Sequence, residues 1–215
     1  MSEPTIRAER VGRVLRLALA RPEKKNALTR AMYGALADHL AEATEDAGVR
    51  AVVLCGEGGS FTAGNDLFDF MMDPPRDETS PVFRFLHAAV GFPKPLIAAV
   101  EGVAIGIGTT LLLHCDLAYA APSARFKMPF TDLGLVPEAG SSLLIPRLAG
   151  GVRASELLLM GDAFDAETAR EIGLINAVVA DPVTHAMERA QALALKPPAA
   201  VRQSKALLRA PLRER

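Results

Sequence analysis

A chain of 215 residues makes one large domain or one and a half, and with half of its residues hydrophobic it buries a sizeable core, which excludes a disordered polypeptide. Lys plus Arg (24) nearly balances Asp plus Glu (25), so bulk charge gives no reason to expect nucleic acid or an anionic membrane as a partner. No apolar run reaches the roughly 18 residues of a spanning helix, and the N-terminus lacks a signal-peptide core, so a soluble cytoplasmic protein without a membrane partner is expected.

In chain order, the stretch TIRAERVGRVLRLALARP alternates apolar and polar residues around Val11 and Gly12, which predicts a hairpin. Thr29 predicts an N-cap for a helix to about residue 47, with Met32, Leu36, His39, Leu40 and Ala43 on one face. Residues 51–55 form a short apolar run of the kind buried on both sides of a parallel sheet, and residues 56–64 form a glycine-rich loop ending in FTAGNDL. A polar, proline-rich stretch leads to a helix over 82–90, which Pro93 and Pro95 break before a second buried strand over 96–100. A tight turn over 102–108 runs into a helix to His114, followed by a strand over 117–121. From Val152 onward the pattern is mostly helical, with one strand over 175–179. Strand, glycine turn and helix therefore recur, which predicts an α/β architecture with parallel pairing. Cys55 and Cys115 lie in apolar runs and read as reduced core cysteines rather than a disulfide or metal pair.

Two segments carry the chemistry: EGVAIGIGTTLLLHCD (101–116) and PFTDLGLVPEAGSS (129–142). A dinucleotide fingerprint needs a third glycine where Leu111 stands, a phosphate-cradling loop needs Gly-Lys-Ser/Thr, and a serine elbow needs glycine where Thr62 follows Ser60. With these excluded, the turn is either a structural strand-to-helix link or a set of N–H groups aimed at a negatively charged oxygen. The second segment delivers one carboxylate, Glu138, on a proline-preceded corner in apolar surroundings. Locally it reads equally well as the first-turn acid of a helix opened by Pro137. A main-chain anion hole with a solitary base is what proton transfer beside a carbonyl requires. Of the other candidates, Asp132 reads as a second acid or a solvated loop residue, Asp66 as a loop-holding side chain, and Asp116 as a pin between a helix end and the next strand. His39, His87, His114 and His185 form no pair with metal-ligand spacing, so no metal site is expected.

RPEKKNAL (21–28), SFTAGNDL (60–67), KPLIAAVEGVAIGIG (94–108), LLHCDLAYA (113–121) and ARFKMPFTDLGLVPEAGSS (124–142) stand in the order of the crotonase, or enoyl-CoA hydratase/isomerase, superfamily, which the chain resembles over residues 5–209. That resemblance implies an α/β fold, a spiral of repeated ββα units over 1–180 with a helical C-terminal region over 181–215. It also implies acyl-CoA thioester substrates, no cofactor beyond the coenzyme A of the substrate, and a homotrimer or dimer of trimers. It places the oxyanion donors on the backbone N–H groups of Asn65 and Ile107. Lys25 (with Lys24), Ala27, Ala63, Gly64, Asp66, Leu67, Gly106, Phe130 and Leu133 fall where relatives contact the acyl-CoA. The two glutamates of hydratases correspond to Thr110 and Phe130, neither of which does acid/base work at neutral pH. LGLVPEAGSS instead resembles the Δ3,Δ2-enoyl-CoA isomerase branch, in which the glutamate after proline, here Glu138, is the single base. Phe130, Leu133, Leu135 and Leu144 are expected to wall Glu138 from water. Relatives run to about 250 residues, so the C-terminal region reads as incomplete. Hydration, thioester hydrolysis, decarboxylation or inert acyl-CoA binding are the alternatives on the same scaffold.

Overall fold

Gly12, at φ 62°, turns β1 (Ile6–Val11) back onto β2 (Val14–Leu19) as the expected antiparallel hairpin. The computed structural model describes residues 5–213. Thr29 caps α1 (Arg30–Glu45), its hydroxyl accepting from the Met32 N–H at 3.3 Å. The buried face of α1 carries Met32, Tyr33, Leu36, Ala37, Leu40 and Ala43, at the spacing of an amphipathic helix. His39 lies off that face, half-buried beside Glu42. The remaining elements are β3 (Ala51–Gly56), α2 (Leu67–Met72), α3 (Pro81–Gly91), β4 (Leu96–Val100), β5 (Val103–Ile105), α4 (Ile107–Thr110), β6 (Leu117–Ala120), β7 (Arg125–Lys127), α5 (Ser141–Ala149), α6 (Gly151–Ser155), β8 (Phe164–Asp165), α7 (Ala166–Glu171), β9 (Ala177–Val178), α8 (Pro182–Ala194) and α9 (Pro198–Arg213).

The main sheet has the order β1-β2-β3-β4-β6-β9, parallel from β2 onward. Every residue of β3 and β4 is buried, because both faces are covered. Val52, Leu54 and Ala98 face the core shared with α1 and α3, while Val53, Ile97 and Ala99 face Ala186, Ala190 and Ala194 of α8. Small alanines on α8 let the helix approach the sheet closely. A second sheet, β5-β7-β8, lies beside it, and an isolated bridge from Thr62 to Ala104 extends it toward the 56–64 loop.

Successive units run from a main-sheet strand to a second-sheet strand to a helix: β4–β5–α4, then β6–β7–α5. This is the repeated ββα spiral, an α/β architecture. Its second strands escape a sequence reading because β5 and β7 span three residues each, too few for an alternation to register. The helix expected to run to His114 is one α turn followed by a 3-10 segment, Leu111–His114. The mostly helical C-terminal part also contains β8, which pairs antiparallel with β7. Cys55 and Cys115 are free, and no helix among the described residues is long and apolar enough to cross a membrane.

Candidate active site

The 56–66 loop is held from the N-terminal side by a buried asparagine. The Asn26 carboxamide accepts from the Arg21 N–H at 2.8 Å and donates to the carbonyls of Glu57 (2.9 Å) and Ser60 (2.7 Å). Thr62 Oγ1 donates back to the Asn26 carbonyl at 2.7 Å. Gly64 sits at φ 89°, where a Cβ would stand 2.8 Å from the Ile105 carbonyl, so only glycine lets the loop lie this close to β5. On either side of Asn65, Leu28 N–H donates to Gly64 O and Asp66 N–H donates to Leu28 O, both at 2.8 Å. Asp66 holds the loop as expected: it caps α2 through the Asp69 N–H and accepts from Arg21 Nη1 at 2.7 Å. The Arg21 bond is the first cause that keeps the Asp66 carboxyl below its ordinary range.

Gly106 takes φ 56° and ψ −117°, a conformation open to glycine alone, and its N–H is tied to Lys127 O at 2.8 Å. The chain then enters α4 with Ile107, whose side chain is buried in the core and whose N–H precedes the first intrahelical bond. Neither the Asn65 nor the Ile107 N–H has an acceptor among the described residues. The Gly64–Ile105 contact and the Thr62–Ala104 bridge bring the loop and the turn that carry these two amides side by side.

Glu138 does not open a helix. It lies in a segment without regular structure, followed by Ala139 at φ 50° and Gly140 at φ 69°, and α5 begins only at Ser141. A left-handed alanine costs about 1–2 kcal/mol, and the surrounding bonds hold it there. The Glu138 carbonyl accepts from Ser141 N–H (2.9 Å) and Ser141 Oγ (2.7 Å). The Ala139 carbonyl accepts from His114 Nε2 at 2.8 Å, which places the ring hydrogen on that nitrogen. Burial holds the His114 pKa down, so the imidazole acts as a neutral clamp. The Glu138 carboxylate accepts from Thr110 Oγ1 at 3.4 Å. Burial pushes its pKa up, opposed by that hydroxyl. Nearby, the Tyr33 hydroxyl donates to Asn65 Oδ1.

Two unoccupied backbone donors beside one desolvated carboxylate fit a site that stabilises an enolate. The family profile described as enoyl-CoA hydratase/isomerase matches residues 9–215. The chain belongs to the enoyl-CoA hydratase/isomerase family. It is 43% identical over 175 residues to 1,2-epoxyphenylacetyl-CoA isomerase of Escherichia coli K12, covering 78% of this chain and 67% of that protein. It is 37% identical to enoyl-CoA delta isomerase 2 of Rattus norvegicus, over 92% of this chain and 52% of that protein. The chain thus spans about half the length of that isomerase. A hydratase stands equally near: 2,3-dehydroadipyl-CoA hydratase of E. coli K12 is 36% identical over 92% of this chain and 78% of its own. Among solved structures, Pseudomonas aeruginosa OdaA superposes with a TM-score of 0.95 at 50% identity, covering 99% of this chain and 87% of that one.

On this enoyl-CoA hydratase/isomerase scaffold, Thr110 contacts both Glu138 and the Gly106 carbonyl, and Tyr33 bonds Asn65 while lying in the field of Glu138. Lys24 and Lys25 are exposed, while the Lys25 carbonyl accepts from Ala63 N–H at 2.9 Å and the Ala27 carbonyl from Arg21 Nη1 at 3.1 Å. Leu67 opens α2 and is exposed. The expected apolar wall needs correcting. Phe130 is buried in the core, but Leu133 (51% exposed) and Leu135 (54%) stand in solvent, because Gly134 at φ 66° turns the chain outward between them. Leu144 does line a cavity of about 370 Å³, with Phe83, Leu86 and Val90, which reaches Ala139 and Gly140 beside Glu138. Asp132 is exposed and paired with Lys127 at 3.0 Å, away from Glu138's partners. Asp116 does pin, but not a helix end to the next strand: it accepts from Leu96 N–H at the start of β4 and from Lys205 and Arg209 of α9. No group of metal-ligating side chains occurs among the described residues. Tyr33, His114 and Ser141 escaped the sequence reading as parts of the site; the paired serines after Glu138 were the only local signal for any of them.

Proposed function

We propose that the chain is a Δ3,Δ2-enoyl-CoA isomerase in which Glu138 carries the proton. The observation that supports this most is a half-buried carboxylate with a non-acidic partner: Thr110, where hydratases of the family have a glutamate, donates a hydrogen bond to Glu138 instead of acting as an acid. The thioester oxygen of a 3-enoyl-CoA is taken up between the N–H groups of Asn65 and Ile107. Ionised Glu138 removes one C2 proton, and the C2–H electrons delocalise into a dienolate whose charge rests on that oxygen. The protonated acid then returns the proton to C4, the double bond settles between C2 and C3, and the carboxylate is regenerated. No water is consumed and no electron leaves, so one carboxylate suffices and no cofactor is required. Each oxyanion donor contributes about 10²–10³ in rate, and the base about 10²–10⁴. Desolvation strengthens Glu138 as a base, and the Thr110 hydroxyl works against it by favouring the ionised form.

The test runs isomerisation of a 3-enoyl-CoA beside hydration of a 2-enoyl-CoA, for the wild type and Glu138→Gln. Isomerisation that dominates and disappears in Glu138→Gln supports the proposal. Dominant hydration that survives the substitution refutes it in favour of hydratase chemistry.

We also propose self-association, as a trimer, through the solvent-facing Leu135, Val136, Leu148, Val152, Leu159 and Met160. Sedimentation equilibrium at a monomer mass would refute it.

A further inference from the structure

Tyr33 is the one buried side chain of α1 with a polar group. It is 1% exposed, and its ring lies against Phe85 with centroids 5.7 Å apart. Packing alone does not ask for a tyrosine at this position. Phenylalanine would present the same ring to Phe85 and spare the cost of burying a hydroxyl. The hydroxyl is spent on a single partner, the side-chain oxygen of Asn65, 32 residues away in the chain. Asn65 is also one of the two residues of the site whose backbone N–H has no acceptor among the described residues. Without Tyr33, Asn65 makes no hydrogen bond of its own among the described residues and is held through its neighbours: Gly64 to Leu28 and Thr62, and Asp66 to Leu28 and Arg21. Burial raises the Tyr33 phenol well above its ordinary range, with the Glu138 carboxylate as the second cause, so the hydroxyl remains a donor and lies in the field of that carboxylate.

We propose that Tyr33 is a positioning residue for the reaction: by donating to Asn65 Oδ1 it fixes the Asn65 peptide so that its N–H stays aimed at the thioester oxygen. The inference rests on the oxyanion role given to Asn65 under the proposed function. Because the O–H donates to Oδ1, the Asn65 amide group is turned the other way, and the hydroxyl cannot serve as the proton donor to substrate. Tyr33 therefore acts through Asn65 and touches no reacting atom.

The test is a cycle of Tyr33→Phe, Asn65→Ala and the double variant, which leaves the residue-65 backbone N–H in all four proteins. Two readouts are taken: kcat and KM for 3-enoyl-CoA isomerisation, and the affinity for the enolate of acetoacetyl-CoA, followed by its ultraviolet absorbance. Since losing an oxyanion donor outright costs ~10²–10³ in rate, a misaimed one is expected to cost about tenfold. Tyr33→Phe should lower kcat about tenfold, change KM by less than about threefold, and weaken enolate binding in step with kcat. In the Asn65→Ala background, Tyr33→Phe should add nothing further. A merely structural tyrosine predicts instead that the two substitutions multiply, or that KM and melting temperature move while kcat holds; either result overturns the inference. If the wild type binds the enolate but does not isomerise, the isomerase reading fails and the enolate cycle still decides Tyr33. If the wild type does neither, both are overturned.

Discussion

Thr110→Val isolates the one polar contact that the Glu138 carboxylate makes. Valine keeps the shape of a fully buried threonine and replaces the hydroxyl with a methyl; the single hydroxyl hydrogen is shared between Glu138 Oε1 and the Gly106 carbonyl, each at 3.4 Å. A well-formed bond to a charged group contributes about 1.5–3 kcal/mol, and at this length roughly half of that, about 0.7–1.4 kcal/mol, is a fair value. The hydroxyl stabilises the ionised carboxylate, so removing it favours the protonated form. With 1.36 kcal/mol per pKa unit, the acid limb of the kcat/KM profile should move up by about 0.5–1 unit. Activity then falls at pH values below the limb and is unchanged on the plateau, where Glu138 is ionised in both proteins. The assay is the pH dependence of 3-enoyl-CoA isomerisation for the wild type and Thr110→Val. An acid limb that stays in place, or moves to lower pH, refutes the assignment of Thr110 as the carboxylate's donor.

Other perturbations follow from the same geometry. Glu138→Gln should abolish isomerisation and raise the melting temperature at pH 8. The native carboxyl binds its proton more tightly than the unfolded one, so between the ordinary glutamate value of about 4.3 and the raised native value stability falls as pH rises. Glutamine escapes that loss, and its advantage should vanish at pH 4; an advantage independent of pH would contradict the desolvation argument. Gly64→Ala places a Cβ 2.8 Å from Ile105 O in a left-handed conformation, and should cost about 2–3 kcal/mol in urea unfolding together with a fall in kcat. Asp116→Ala removes the counter-charge of Lys205 and Arg209, which keep only their bonds to the Lys94 and His114 carbonyls, and leaves the Leu96 N–H unpaired. It should cost about 3 kcal/mol, the lower end for a broken buried pair because Asp116 is partly exposed. A loss under 1 kcal/mol would show that the helix α9 contact contributes little.

Much of the candidate site was legible because the proposed chemistry depends on residue type at fixed places in a motif. Glu138 after Pro137, Thr110 four residues past Gly106, and Asn65 after Gly64 all lie in short segments whose order along the chain fixes the family. The continuous apolar runs of β3 and β4 likewise announced a sheet buried on both faces. What stayed hidden depended on distance or on backbone sign. The Tyr33–Asn65 bond joins a helix to a loop with nothing in either segment to pair them. His114 reads as one more apolar-pattern histidine until the 3-10 turn beneath it aims Nε2 at the Ala139 carbonyl. Leu133 and Leu135 look like pocket residues by hydrophobicity, yet a left-handed glycine between them decides that both face solvent. The alternative reading, in which Pro137 and Glu138 open a helix, fails for the same kind of reason, since Ala139 and Gly140 both take positive φ before α5 can start.

The central claim is that one desolvated carboxylate moves one proton from C2 to C4. Its most direct measurement is the fate of deuterium when 3-enoyl-CoA labelled at C2 is turned over in ordinary water. A half-buried, desolvated acid slows exchange of the abstracted deuteron, so the 2-enoyl-CoA product should carry label at C4 in a substantial share of turnovers. Product with no label at C4, or a 3-hydroxyacyl-CoA as the main product, would contradict it.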